Sequence, residues 1–144
     1  MRLSTKGRYG IKAMVDLAIN YECSSKLSIS QLAEKQGISA AYLEQLIGSL
    51  RKAGLVTASR GSQGGYSLSR APELISVGAV LKALEGSTAI VDCVGTDGTD
   101  CTNVCSCSAR PLWLKLQRGI DNVLDSTSIR DMADDYKIQS ERMN

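Results

Sequence analysis

Apolar residues recur along this chain mainly at helical spacing, with one short region that alternates instead. Tyr9, Ala13, Leu17 and Tyr21, flanked by Met14 and Ala18, share one face and predict a helix over about 6–23. After the polar break at 23–28, Ser28 and Gln31 stand three apart, as in a capping box. They open a second helix, about 30–36, which buries Leu32 and Ala33 and stops at Gly37. Ser39 caps a third helix, about 39–53, with Leu43, Leu46, Ile47 and Leu50 on one face and Gly54 at its end. Two alternating strands follow, Leu55–Ser59 and Gly65–Ser69, joined by a glycine-rich turn.

Farther on, Pro72 marks a linker and Ser76 caps a short helix that turns Val77, Val80, Leu81 and Leu84 inward and ends at Gly86. Residues 87–108 read as a polar loop. Pro111 fits the first turn of a longer helix, about 110–126, carrying Leu112, Leu116, Ile120, Val123 and Leu124 with Trp113 beside them. A last short helix runs from Ser128 through Met132 to Tyr136, and the polar end frays. The fold class is thus mainly α. A short helix, a glycine turn and a second helix form a helix-turn-helix, and the hairpin directly behind it is a wing. Arg60 sits at the wing's tip and Arg70 at its base, and Gly61, Gly64 and Gly65 let backbone approach a phosphate.

Residues 1–71 therefore form a winged helix-turn-helix, and 72–144 a second region built around the long helix. That helix has two possible partners: its own wing module, or a second subunit across which it lies as a dimerisation helix. The second reading is preferred, because helix-turn-helix modules usually meet two half-sites as dimers.

Charge sharpens the picture. Residues 1–70 hold ten Lys/Arg against four Asp/Glu, and residues 71–144 hold seven against eleven. A basic first half is the footprint of a phosphate-binding surface, although a solvated basic face has the same composition. There is no histidine, which removes Ser-His-Asp, Cys-His and His-ligated zinc chemistry, and no paired acids stand out. An enzyme is not expected. Apolar runs fall short of the ~20 residues that span a bilayer, and the N-terminus turns polar at once, so a cytoplasmic protein without a membrane partner is expected.

Cys93, Cys101, Cys105 and Cys107 fall within fifteen positions of a Gly/Thr/Asp-rich stretch. Clustered thiolates hold a soft metal centre or pair as disulfides, and a reducing compartment favours the first. Four thiolates also suit zinc, though the usual C-x-x-C knuckles are missing; loop cysteines that bind nothing are the remaining reading. Cys23 reads as a small buried hydrophobe.

With these pieces in place, the chain resembles the iron–sulfur cluster regulator family of bacterial winged-helix transcription factors, nearly end to end. The resemblance rests on the opening MRLSTKGRYG, the segment ISAAYLEQLIGSLRKAGLV, the wing RGSQGGY and the ending RPLW…VLDSTSIRDMA. It implies a homodimer on a partly palindromic double-stranded DNA operator, with a [2Fe–2S] cluster deciding which operators are favoured. Carried over, Ser39, Ala41, Tyr42, Glu44 and Gln45 face the major groove, with Glu44 and Gln45 as readers: a Gln amide pairs with adenine, a carboxylate accepts from cytosine N4. Arg60, beside Gly61, enters the minor groove, and Arg2, Thr5, Lys6 and Arg51 act as phosphate clamps. Tyr9 belongs to the core of the first helix.

The resemblance also assigns ligands. Aligned on Pro111-Leu112-Trp113, Cys107 takes the third ligand position, Cys101 the second and Cys93 the first, two residues further back than the commonest spacing. A family histidine three residues after the third cysteine is Arg110 here, and an acidic residue used in another branch is Arg8. The fourth ligand stays open between Cys105, a loop Asp, a residue of another subunit and a small thiol. Two other readings stand beside this one: a metal-free thiol sensor of cysteine supply or oxidants with a cysteine-biosynthetic enzyme as partner, and a stand-alone cluster carrier.

Overall fold

Serine hydroxyls open five of the six helices in the computed structural model, which describes residues 3–94 and 107–144. Ser4 caps α1 (Thr5–Tyr21), its Oγ accepting from the Gly7 N–H at 3.1 Å. Ser28 and Gln31 exchange both bonds of the expected capping box at the start of α2 (Ile29–Gln36). Ser39 caps α3 (Ala40–Lys52), and Ser76 caps α4 (Val77–Glu85). Each such cap contributes about 1 kcal/mol by satisfying a helix-end N–H. Only α5 (Arg110–Ser126) begins without a side-chain cap; it starts with Pro111 in its first turn.

The expected boundaries hold to within two residues through α5. The last helix is a correction: α6 runs Ile129–Met143, well past the frayed end expected at Tyr136. A second capping box, unrecognised in the sequence because the third residue is Asp131, anchors its start. The Asp131 N–H donates to Ser128 Oγ at 3.0 Å, and the Ser128 N–H donates to Asp131 Oδ2 at 2.9 Å. These bonds, the backbone one foremost, hold the Asp131 carboxyl below its ordinary pKa.

The wing is a two-stranded antiparallel sheet, β1 (Val56–Ser59) against β2 (Gly65–Leu68), in register Val56↔Leu68 to Ser59↔Gly65. Leu27, just before α2, adds an isolated bridge to Tyr66, with N–H···O distances of 2.8 and 3.1 Å. The wing is therefore tied to the turn before α2 as well as to α3.

Buried side chains form one core continuous across residue 71. Met14, Leu32, Leu43, Leu46, Ile47 and Leu50 meet Ile75, Val80, Leu81, Ile129 and Ala133. Helix α1 is the centre of this arrangement, packing on both α4 and α6. A Cβ at Gly10 would fall on the Leu84 side chain, so glycine there allows α1 and α4 to approach closely. Pro72, expected in a linker, is fully buried within a short 3-10 turn (Pro72–Leu74). The chain between α5 and α6 returns to that turn, with Ile129 N–H donating to Ile75 O at 2.9 Å and Val77 N–H to Thr127 O at 2.9 Å. Cys23 is a further correction: α1 ends at Tyr21, and the turn beyond it leaves the thiol exposed rather than buried. Among the described residues no helix is long and apolar enough to cross a membrane.

Candidate functional site

The apolar spacing of α3 turns four leucine and isoleucine side chains into the core, and so turns its polar positions outward by geometry alone. Ser39, Ala41, Glu44 and Gln45 are exposed. Ser39 Oγ is committed to the Tyr42 N–H at 3.2 Å, which leaves its proton free to donate. Tyr42 is half-buried, its ring edge-on to Tyr9 with centroids 6.4 Å apart. Lys12 Nζ lies 5.0 Å from the Tyr9 ring centre. Tyr9 thus packs against the core, as expected, and carries Tyr42 with it.

That aromatic contact brings the first turns of α1 and α3 to one edge. Exposed Thr5 and Lys6 stand one turn before Tyr9, and Ser39 one turn before Tyr42. Arg51 is exposed but lies at the opposite end of α3, about 16 Å along the axis from Ala40. Arg60 and Gly61 are exposed on the wing turn, where Gly61 has φ +104°. Arg70 behaves differently. Its guanidinium donates to Gly54 O at 3.4 Å and to Leu74 O at 3.5 Å, so it braces the wing's base. Arg2 lies outside the described residues.

One acidic group lies on α1, two turns beyond Tyr9 on the same face. Asp16 accepts from Gln36 Nε2 and stands 4.0 Å from Lys35 Nζ, at the edge of a groove of about 610 Å³ floored by Ile11, Val15, Ile19 and Met132. Burial raises its pKa above the usual carboxylate value, opposed by the Gln36 bond and the Lys35 charge.

Of the clustered cysteines, Cys93 lies in a 3-10 turn (Asp92–Val94) and Cys107 just before α5. Both are free, half-buried thiols. Cys101 and Cys105 lie outside the described residues, and among the described residues no three acidic, Cys or His side chains gather as a metal site. The surroundings of Cys107 nonetheless suit an anionic thiolate centre. The first turn of α5 has no acidic residue and no side-chain cap, so nothing among the described residues compensates its positive end. Arg110 donates its backbone N–H to Cys107 O at 3.3 Å, while its Nε is buried and has no hydrogen-bond partner among the described residues. A buried donor lacking an acceptor is what a thiolate or sulfide would satisfy.

Gln117 escaped the sequence reading. It is the buried residue of α5, hydrogen-bonded to backbone on the approach to Cys93. The signal was present: Trp113, Gln117, Ile120 and Leu124 form an inward stripe, and Gln117 is its polar interruption.

The profile of a family described as "Rrf2: Iron-dependent Transcriptional regulator" matches residues 3–135. This chain belongs to the Rrf2 family. It is a DNA-binding transcriptional regulator of that family and not an enzyme. The HTH-type transcriptional regulator IscR of Aliivibrio salmonicida (strain LFI1238) is 39% identical over 146 aligned positions, covering 100% of this chain and 85% of that one. The structure of T. potens IscR matches with TM-score 0.76 and 41% identity over 94% of this chain and 88% of its own. CymR, the global cysteine regulator of B. subtilis, matches with TM-score 0.79 and 36% identity over 93% and 97%. The winged helical fold expected from the sequence is thus shared with these regulators.

Proposed function

We propose that this Rrf2 regulator selects its operators according to the state of a [2Fe–2S] cluster held by Cys93, Cys101 and Cys107, with Cys105 the candidate fourth ligand, and that it governs iron–sulfur biogenesis genes in the cytoplasm. The observation that carries the reading is the setting of Cys107: a half-buried thiol at an uncapped helix start, beside a buried Arg110 donor with no acceptor among the described residues. Thiolate-bound iron supplies a redox- and oxidant-sensitive centre, and its potential depends on hydrogen bonds to the sulfurs.

Residues 1–71 meet the DNA. Glu44 and Gln45 read base edges, with Ser39, Ala41 and Tyr42 beside them in the major groove. Arg60 and Gly61 reach the minor groove, and Arg2, Thr5, Lys6 and Arg51 hold phosphates. Residues 72–144 pair two copies through the outer face of α5, where Leu112, Leu116 and Val123 are exposed and Leu116 and Val123 border an open apolar groove with Lys115 and Gly119. Pairing presents two α3 helices to two half-sites. Preference between operators changes only by the difference in affinity of the two conformations for the cluster.

The likeness to CymR favours one second reading, a metal-free thiol-based repressor of cysteine metabolism or oxidant response with a cysteine-biosynthetic enzyme as partner. Anaerobic purification with iron and sulfide assays and an absorption spectrum separates the two. The cluster reading expects iron and sulfide in equal amounts and visible absorption that Cys93→Ala, Cys101→Ala or Cys107→Ala each removes. Colourless, iron-poor protein after reconstitution selects the metal-free reading.

A further inference from the structure

Gln117 is 8% exposed, and it is the buried polar side chain of the described core. Both N–H groups and the carbonyl of its amide are engaged. Oε1 accepts from the Ile90 N–H at 2.8 Å, and Nε2 donates to Thr88 O at 3.2 Å and to Asp121 Oδ1 at 2.9 Å. One side chain therefore fastens two residues, Thr88 and Ile90, of the same segment. Asp121, one turn along α5, holds the amide the right way round, since only its NH₂ end can face a carboxylate.

What this segment carries gives the contact its interest. Three residues past Ile90 stands Cys93, while Cys107 stands three residues before the first residue of α5. Both cysteine arms are thus attached to one rigid helix. Cys107 is attached through the chain, and Cys93 through the Gln117 amide, two turns inside α5. The 3-10 turn bearing Cys93 also packs on α5. An apolar residue at 117 would continue the inward stripe of Trp113, Ile120 and Leu124, but it would leave the Ile90 N–H and Thr88 carbonyl without these partners.

We infer that Gln117 is a positioning residue that sets Cys93 against Cys107 by fastening residues 88–90 to α5. Its consequence for a bound cluster rests on the function proposed above; its geometry does not.

The test begins with reduced, metal-free full-length protein, alkylated with iodoacetamide and followed cysteine by cysteine by peptide mass spectrometry. Cys23, exposed at the end of α1, serves as internal standard. Gln117→Leu is expected to raise the alkylation rate of Cys93 several-fold while Cys107 and Cys23 keep theirs. Gln117→Glu, which keeps the acceptor for Ile90 but sets a second carboxylate against Asp121, falls between. Leu50→Ala, which loosens the core elsewhere, should leave the ratio of Cys93 to Cys107 rates unchanged. An unaltered Cys93 rate in Gln117→Leu overturns the inference, as does a rise shared equally by Cys93 and Cys107. The second arm uses anaerobically reconstituted protein and follows iron transfer to a chelator, expected to be several-fold faster in Gln117→Leu. Equal transfer rates overturn the positioning role toward the metal. A wild-type chain that takes up no iron sinks the cluster reading, and the alkylation arm still decides the role of Gln117.

Discussion

Helices α3 and α5 are both amphipathic, yet their apolar faces meet different fates. Over 13 residues, α3 buries Leu43, Leu46, Ile47 and Leu50, none more than 2% exposed. Over 17 residues, α5 buries Gln117 alone and leaves Leu112, Leu116 and Val123 at 52%, 43% and 63% exposure. The difference is one of partners. Around α3 the chain supplies α1, α2, α4 and the wing, so its apolar face closes within one molecule. Around α5 the described residues supply chiefly α4 and the short turn at Cys93, which cover the inner stripe. Amphipathic spacing therefore announces that a face will be covered; it does not say by which chain.

Matched truncations break the comparison most sharply. Leu46→Ala removes a fully enclosed side chain and should cost about 2–5 kcal/mol in urea denaturation. Leu116→Ala removes the same atoms from an exposed site and should cost well under about 1 kcal/mol in the single chain. Leu116→Asp should instead abolish self-association in sedimentation equilibrium while leaving the circular dichroism spectrum intact. Equal stability losses for the two alanine variants, or a Leu116→Asp chain that pairs as well as wild type, would remove the contrast.

Two residues proposed to meet DNA sharpen it further. If α3 is closed inward so that it can read outward, Glu44→Ala should lower discrimination between the preferred duplex and its single-base variants by about 1–3 kcal/mol. Lys6→Ala should weaken all duplexes alike and reduce the slope of log affinity against log salt by about one. Binding isotherms at several salt concentrations measure both effects. Uniform weakening by Glu44→Ala would make that residue a clamp rather than a reader.

The smallest expected effect concerns Asp16. Its folded pKa is raised by burial, so its contribution to stability is fully present below the unfolded pKa and is lost as pH rises through the folded value. Asp16→Asn, which still accepts from Gln36, should raise the urea midpoint at pH 7. The gain should shrink as pH falls through the raised folded value and be gone below about 4, the unfolded value. Destabilisation at pH 7 would mean that the Lys35 attraction outweighs burial.

What the sequence made legible was local. Ser28 with Gln31, Ser39 and Ser76 announce helix starts because a cap involves residues three apart. The exposure of Glu44 and Gln45 followed from helical periodicity, since leucines pointing in leave the rest pointing out, and that of Arg60 from its place in the glycine-rich turn of the wing. The misses are long-range or weakly patterned. Helix α6 continues past Tyr136 with Ile138 and Met143 exposed, so no apolar stripe marks its second half. Pro72 looked like a linker because its burial depends on α6 returning from more than fifty residues away. Gln117 was hidden between Leu116 and Arg118, where a polar residue ordinarily signals a solvated face. Arg2, Cys101 and Cys105, read from sequence as site residues, lie outside the described residues.

The claim at the centre of this account is that iron bound by the cysteines changes which DNA the α3 pair accepts. Parallel selections from one random duplex library, with iron-loaded and metal-free protein at a single salt concentration, measure it directly. The account predicts two distinguishable consensus sequences, with Cys107→Ala yielding the metal-free one under both conditions. A single consensus bound with equal affinity by both forms would contradict it.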